Sequence, residues 1–328
     1  MTTQKGLKLV ERDDDGVDTA FRADVLDGLS QPQKAIPARW LYDDAGSQLF
    51  EDITQLPEYY PTRAETEILQ TRSGEFAELI GEGRAVVEFG SGSSVKTPLL
   101  LSAIAPSAYV PLDISGDFLR AAAADLAEKF PGLPVYPVEA DFMREVELPT
   151  AVADQPKLGF FPGSTIGNMV ARTAVDLLRN MRETLGVGAQ LLIGMDLIKD
   201  EEVLVAAYDD AAGVTAEFNY NLVRRINREL NGDIPLDTLS HEARWNDDNA
   251  RIEMHLVAGG DIAFSVDGQD FTMRTGETIH TENSHKFNRR TANMLLLAGG
   301  WEPQARWLDK GGQFSLLLAE AKPPRSAP

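Results

Sequence analysis

Cysteine is absent from all 328 residues. Its absence excludes disulfides, thiolate metal sites and cysteine nucleophiles. Positive charge is scarce, with 31 lysines and arginines against 51 aspartates and glutamates and a formal charge of -20. Neutralising phosphates needs a basic face, so this balance argues against a nucleic-acid substrate. An acidic chain suits a cationic or zwitterionic small molecule, although most of this charge reads as solubilising. No apolar run approaches a membrane span, and the N-terminal MTTQKGLKLVERDDDG has no apolar signal-peptide core. A cytoplasmic enzyme is the default expectation. Hydrophobic residues at 43% and aromatics at 8% can supply the core of one large α/β domain or two modest ones.

A further absence sorts the most informative stretch, Val86-Val87-Glu88-Phe89-Gly90-Ser91-Gly92-Ser93-Ser94-Val95-Lys96-Thr97. It reads as a short buried strand, a glycine-rich turn and the first turn of a helix. A dinucleotide fingerprint needs glycine where Val95 stands, and a P-loop matching Gly90, Lys96 and Thr97 fails at the same valine. What remains is acid-x-Gly-x-Gly, the nucleotide turn of methyltransferases that use S-adenosylmethionine (SAM). Taken alone, such a turn also serves purely structural ends.

From Arg84 the pattern alternates strand and helix, which implies a parallel sheet with right-handed crossovers. Val86–Phe89 is followed by a helix over Thr97–Ile104 and a strand over Ala108–Leu112 ending in Asp113. Asp113 lies 23 positions beyond Gly90. An acid near this spacing at the next strand end is placed to bind ribose hydroxyls, and a helix N-cap is the competing reading. A helix over Phe118–Phe130 precedes a third strand, Val135–Glu139, which runs into Asp141-Phe142. An acid followed by an aromatic there suits an adenine pocket. Leu158–Phe161 leads into Pro162-Gly163-Ser164-Thr165-Ile166-Gly167-Asn168, where Asn168 offers a donor and an acceptor. A helix over Arg172–Leu185 and a strand over Gln190–Asp196 complete the run. Thr291–Gly300 reads as a helix, and Trp301–Leu308 with Gln313–Glu320 as a closing antiparallel hairpin. The expected fold is α/β, a class I SAM-dependent methyltransferase with a Rossmann-like seven-stranded sheet.

Two segments break the alternation. A helix from about Asp18 places Phe21, Val25 and Leu29 on one face, and residues 40–69 follow, dense in aromatics. They read either as a capping segment over the sheet or as a lid presenting tyrosine hydroxyls. Lys199 to about Leu230 reads as helical, with Glu201-Glu202 and Asp209-Asp210 as solvated faces. The period then switches to two, with turns at Asp247-Asp248-Asn249 and Asp267-Gly268 and strands over 251–256 and 277–287. The division drawn from this is a SAM-binding core over 61–197 and 288–328, and a smaller α+β substrate-binding domain over 1–60 and 198–287. Residues 1–16 and the tail from Lys322 to Pro328 read as loosely ordered.

The motifs WLYDDAGSQLF, LPEYYPTRAE, VEFGSGSSVKT, FFPGSTIGN, AYDDAAGVTAEFN, RIEMHL and TENSHKF occur in that order. With them the chain resembles the histidine N-α-methyltransferases of ergothioneine biosynthesis, which trimethylate L-histidine to hercynine with SAM, leaving S-adenosyl-L-homocysteine. The resemblance spans roughly residues 20–320. It implies that Gly90, Lys96, Asp113, Asp141 and Phe142 bind the cofactor. It implies that Tyr59, Asn168 and Tyr208 position the substrate's carboxylate and amine, with no residue assigned a catalytic proton transfer. Glu282 and Ser284 would hold the imidazole, Met254 would pack beside it, and Tyr42 and Phe50 would line the same pocket. Without the resemblance Glu282 reads as a surface strand carboxylate near Lys286, and Met254 as core. His285 receives no role. A metal site from His255, His280, Glu282 and His285 is not expected, because their spacing matches no recognised ligand pattern. Expected partners are small molecules, L-histidine and its mono- and dimethyl forms, with no nucleic acid or membrane, the chain acting as a monomer. The alternatives are an N-methyltransferase for another aromatic amino acid such as tryptophan, or a non-catalytic sensor of SAM or an amino acid.

Overall fold

The computed structural model describes residues 16–92, 95–114 and 116–323, without the side chains of residues 117 and 118. The expectations for residues 1–15 and 324–328, and Ser93 and Ser94 of the glycine turn, lie outside the described residues. Two compact units emerge, Met1–Tyr60 with Lys199–Ser284, and Pro61–Ile198 with His285–Pro328.

Strands are numbered along the chain. They are β1 (Lys34–Ala35), β2 (Ala85–Phe89), β3 (Ala108–Asp113), β4 (Val138–Glu139), β5 (Lys157–Phe161), β6 (Gln190–Asp196) and β7 (Leu239–Asn246). The remainder are β8 (Arg251–Ala258), β9 (Ile262–Val266), β10 (Gln269–Met273), β11 (Thr278–His285), β12 (Trp301–Leu308) and β13 (Phe314–Ala321).

The second unit holds a seven-stranded sheet in the order β12-β13-β6-β5-β2-β3-β4. Strands β2 to β6 run parallel, and β13 runs antiparallel to both β6 and β12. All five residues of β2 are buried, with Ala85, Val87 and Phe89 in one apolar cluster and Val86 in another. Burial on both faces is the signature of a helix-covered parallel sheet and explains the continuous apolar run. The chain steps outward from β2 to β3 and β4, then returns to β5 on the other side. The crevice at the carboxyl ends of β2 and β5 is therefore the topological switch point, where such sheets bind ligands.

The third strand is shorter than expected. Only Val138–Glu139 joins the sheet, while Val135 makes an isolated bridge to Tyr109. Pro137 between them has no N–H to donate to the ladder. The seams also fall elsewhere, at 198/199 and 284/285 rather than 197/198 and 287/288. His285 to Phe287 belong to the second unit because their bonds go there. His285 Nδ1 donates to the Gly167 carbonyl at 2.8 Å, Lys286 pairs with Asp196 at 2.7 Å, and Phe287 N donates to the Asp196 carbonyl at 2.8 Å.

The first unit pairs a four-stranded sheet, β1-β11-β8-β7, with a β9–β10 hairpin. Asp267 and Gly268 turn that hairpin with φ of 51° and 74°, the pair of positive values that two-residue hairpins favour. The aromatic stretch 40–69 is mostly helical, with helices over Asp44–Thr54 and Tyr60–Thr71. The expected long helix from Lys199 is two helices, Glu201–Ala206 and Val214–Glu229. Gly213 (φ 75°) breaks it, and the Asp210 carboxylate caps the second helix by accepting from Val214 N at 3.0 Å and Thr215 N at 2.8 Å. Asp210 is therefore a buried cap and not a solvated face, whereas Asp209 is exposed. Tyr208 sits in the connecting turn.

Candidate active site

In the second unit the glycine turn lies at the switch point. Gly90 adopts φ 76°, the left-handed conformation that glycine takes without strain, while a Cβ there would meet the Phe142 ring only at an ordinary 3.5 Å. The Phe142 ring packs edge-on against Phe89 and Phe161, with centroids 6.3 and 6.1 Å apart. Asp113 ends β3 and Asp141 lies two residues beyond the adjacent parallel strand β4, both half-buried. Asp141 Oδ1 accepts from Met143 N at 3.0 Å and closes its own turn. Lys96 precedes the helix Thr97–Ile104, and its Nζ lies 2.7 Å from Oε2 of the wholly buried Glu65. Asn168 ends the short 3-10 turn Thr165–Asn168 beyond β5.

Beneath the turn, Glu88 is completely buried and accepts from Thr97 Oγ1 at 2.8 Å and from the Tyr109 hydroxyl at 2.5 Å. Burial pushes its carboxyl up to about 7, against the opposing pull of the Tyr109 and Thr97 hydrogen bonds and of Lys96. Sequence reasoning treated Glu88 only as the acid of a motif. Its partners Thr97 and Tyr109 are fixed by β2–β3 pairing and by the helix after the turn.

The first unit gathers an aromatic box from distant segments. Tyr42 packs edge-on against Phe50 (5.5 Å) and Phe218 (5.3 Å), and Phe50 against Tyr59 (6.1 Å). Tyr59 in turn meets Tyr208 at 6.2 Å. The Tyr208 hydroxyl and Ser284 Oγ are hydrogen-bonded at 2.7 Å, and Glu282 and Ser284 are 8% and 4% exposed. Burial of its hydroxyl end holds the Tyr42 phenol well above its ordinary value, and Glu282, Tyr59 and Tyr208 add to the effect, although 37% of the residue's surface is exposed. The box thus brings together Tyr42, Phe50, Tyr59, Tyr208, Glu282 and Ser284. Met254 is buried on β8 in the same apolar cluster as Tyr59 and Tyr208. Asn168 belongs to the other unit.

Two contributions escaped sequence reasoning. Phe218 supplies a wall of the box, but on an amphipathic helix its spacing reads simply as core. His241 Nε2 donates to the Tyr208 carbonyl at 2.8 Å, and Asn219 Nδ2 donates to His241 Nδ1 at 2.9 Å, which orients the ring and holds the Tyr208 turn. Glu253, His255 and His280 bring possible ligand atoms within 4.8 Å of one another, a set that includes neither Glu282 nor His285. Those groups are already engaged: His255 with Thr278 Oγ1 and Glu253 Oε2, Glu253 with Arg251, and His280 Nε2 with the Glu282 carbonyl.

A parallel sheet closed by one antiparallel hairpin, with a glycine turn after its first strand in chain order and acids at or just beyond the ends of the next two, defines a class I SAM-dependent methyltransferase. The residues present fit that cofactor, since Gly90 turns the chain after β2 with a positive φ, Asp113 ends β3 and Asp141 follows β4 closely. Comparison with known proteins narrows the class. Residues 21–321 match the family of SAM-dependent, histidine-specific methyltransferases. The histidine N-alpha-methyltransferase of Mycolicibacterium smegmatis is 41% identical over 311 residues, covering 93% of this chain and 96% of that protein. That of Mycobacterium tuberculosis is 41% identical over 306 residues, 92% and 94% of the two chains. The 4-dimethylallyltryptophan N-methyltransferase easF of Claviceps fusiformis is 25% identical over 322 residues, 90% of each chain. The chain belongs to the histidine-specific SAM-dependent methyltransferase family, and it is a SAM-dependent enzyme acting on a small molecule. No helix among the described residues is long and apolar enough to cross a membrane.

Proposed function

We propose that the protein methylates the α-amine of L-histidine three times with SAM, giving hercynine for ergothioneine biosynthesis, as a cytoplasmic monomer. The observation that carries the acceptor is the box around Glu282, in which a buried carboxylate, the Ser284–Tyr208 hydroxyl pair and the Tyr42 phenol share one enclosure. Neutral imidazole has one donor and one acceptor nitrogen. Glu282 accepts from the donor, and Ser284, itself bonded to Tyr208, donates to the other. Met254 packs against the ring, and Tyr42 and Phe50 wall the pocket. Tyr59, Tyr208 and Asn168 hold the amino acid's carboxylate and amine. A buried site that hydrogen-bonds polar edges rejects ligands lacking them, because its own groups are left unpaired.

Gly90, Lys96, Asp113, Asp141 and Phe142 hold the cofactor, with Asp113 on the ribose hydroxyls and Asp141 and Phe142 around adenine. In this reading the second unit binds SAM and contributes Asn168, and the other substrate residues belong to the first. SAM supplies an electrophilic methyl group on a sulfonium. The protein's part is alignment, since a positioned nucleophile gains much of its rate from fixed geometry. The amine must be neutral to attack, and its ordinary pKa of about 7.7–8.0 leaves a minority in that form at neutral pH. No residue is assigned as base; the amine loses its proton before binding or through water. Phenol and phenylalanine faces tolerate the growing quaternary ammonium.

Incubation with L-histidine and SAM, read by mass spectrometry, tests this reading. The expected product carries three added methyl groups. A product stopping at one methyl, or methylation of tryptophan in preference to histidine, overturns it. Binding of both ligands without turnover would make the chain a sensor.

A further inference from the structure

Glu65 lies on the helix Tyr60–Thr71, and no part of its side chain reaches solvent. Its Oε2 receives Lys96 Nζ at 2.7 Å and the Gly163 backbone N–H at 2.8 Å. It thus ties the end of the glycine turn to the loop that leaves β5. Its Oε1 is equally buried and has no hydrogen-bond partner among the described residues. Space has been kept for that oxygen, since a Cβ on Gly194 in β6 would stand only 2.4 Å from it. A carboxylate serving only as a structural tie would be expected to have both oxygens satisfied. The ion pair Lys286–Asp196 at the end of β6 is of that kind, with Leu197 N on Asp196 Oδ1 and Lys286 on Oδ2. Glu65 differs by its bare oxygen.

The chemistry of SAM asks for such a group. Its adenosine end is accounted for by Asp113, Asp141 and Phe142 at the ends of β3 and β4. Its other end is an α-amino acid, with an ammonium and a carboxylate on one carbon. At the switch point between β2 and β5 a lone lysine would attract the carboxylate and repel the ammonium beside it. An ion pair offers both signs and keeps the crevice neutral. We propose that Glu65 and Lys96 together form the subsite for the zwitterionic amino-acid end of SAM. Lys96 meets the carboxylate, and Glu65 both orients Lys96 through Oε2 and supplies the negative charge that balances the ammonium. This rests on SAM being the cofactor and adds Glu65 to the residues that bind it.

Two ligands separate this role from general support of the fold. S-adenosyl-L-homocysteine carries the amino-acid end, while 5′-methylthioadenosine keeps the adenosine and the thioether but lacks it. Calorimetry on Glu65→Gln should show the Kd for S-adenosyl-L-homocysteine raised at least tenfold, with the Kd for 5′-methylthioadenosine within twofold of the unaltered protein. Equal loss of both ligands would reduce Glu65 to a structural support, and retention of both would remove it from the site; either overturns the proposal. Should Glu65→Gln leave Lys96 buried without its counter-charge and prevent folding, Glu65→Gln with Lys96→Met leaves no lone charge and should give the same selective loss. An unaltered protein that binds neither ligand would instead refute the SAM reading itself.

Discussion

The glycine turn and the aromatic box are built by opposite means. The turn is backbone chemistry, a positive φ at Gly90 and acids at strand ends that sheet order brings side by side. The box is side-chain chemistry, with rings and hydroxyls delivered by residues 42, 50, 59, 208, 218, 282 and 284 from separate elements. A site made by backbone is carried in a contiguous motif, whereas a site made by side chains exists only after folding. The difference also predicts independence, because changes in one should leave the ligand of the other unaffected.

The largest expected effect concerns the carboxylate under the turn. Glu88 titrates near 7 in the folded protein against an ordinary 4.5. With the folded value raised, the stability linked to this group is fully present below about 4.5 and is lost as pH rises through about 7. At about 1.4 kcal/mol per pKa unit the loss is on the order of 3–4 kcal/mol. Urea unfolding at pH 5 and pH 8 should therefore show a smaller pH difference for Glu88→Gln than for the unaltered protein, and equal differences would refute it. His255, on the first unit's sheet, has the opposite sign. Burial and the neighbouring His280 hold it at about 4 against 6.5, so its contribution is present above about 6.5 and lost as pH falls through about 4. His255→Gln should soften acid unfolding in that window alone, and an unchanged acid limb would count against it.

Next in size is Glu282→Ala. Loss of a charge-assisted hydrogen bond costs about 1.5–3 kcal/mol, so kcat/KM for histidine should fall about 10- to 100-fold through KM. The Kd for S-adenosyl-L-homocysteine should stay within twofold; parallel loss of both would break the proposed independence. Asp113→Ala makes the converse test. About 1.5–2 kcal/mol from two hydroxyl contacts should weaken cofactor binding at least tenfold by calorimetry, with full affinity removing the ribose role. Tyr208→Phe is the mildest. It deletes the hydroxyl bonded to Ser284, a neutral hydrogen bond worth about 1 kcal/mol, and a rise of about fivefold in KM for histidine is expected. A kcat effect with unchanged KM would move Tyr208 from holding substrate to the chemistry itself.

The sheet was largely legible. Strand bounds at Gln190–Asp196 and Trp301–Leu308 and the helix Thr97–Ile104 follow from apolar runs and turn residues. Misreadings have local causes. Pro137 shortened a strand whose residues were otherwise suitable, and Asp210 became a buried cap because Gly213 broke a helix whose apolar periodicity continues past it. In the box, Glu282 and Met254 were read from resemblance to a family. Phe218 was missed altogether, because a phenylalanine on the apolar stripe of a helix looks the same whether it faces core or ligand.

By itself, the sequence determined an alternating α/β core, a nucleotide-type turn and the acids at its flanking strand ends, because strand period, glycine conformation and charge are properties of short stretches. Tertiary structure alone decided which carboxylates are buried and what they face. Glu65 meets Lys96 across 31 positions, and Ser284 meets Tyr208 across 76. No local pattern encodes such meetings, since burial and partnership are properties of the packed chain.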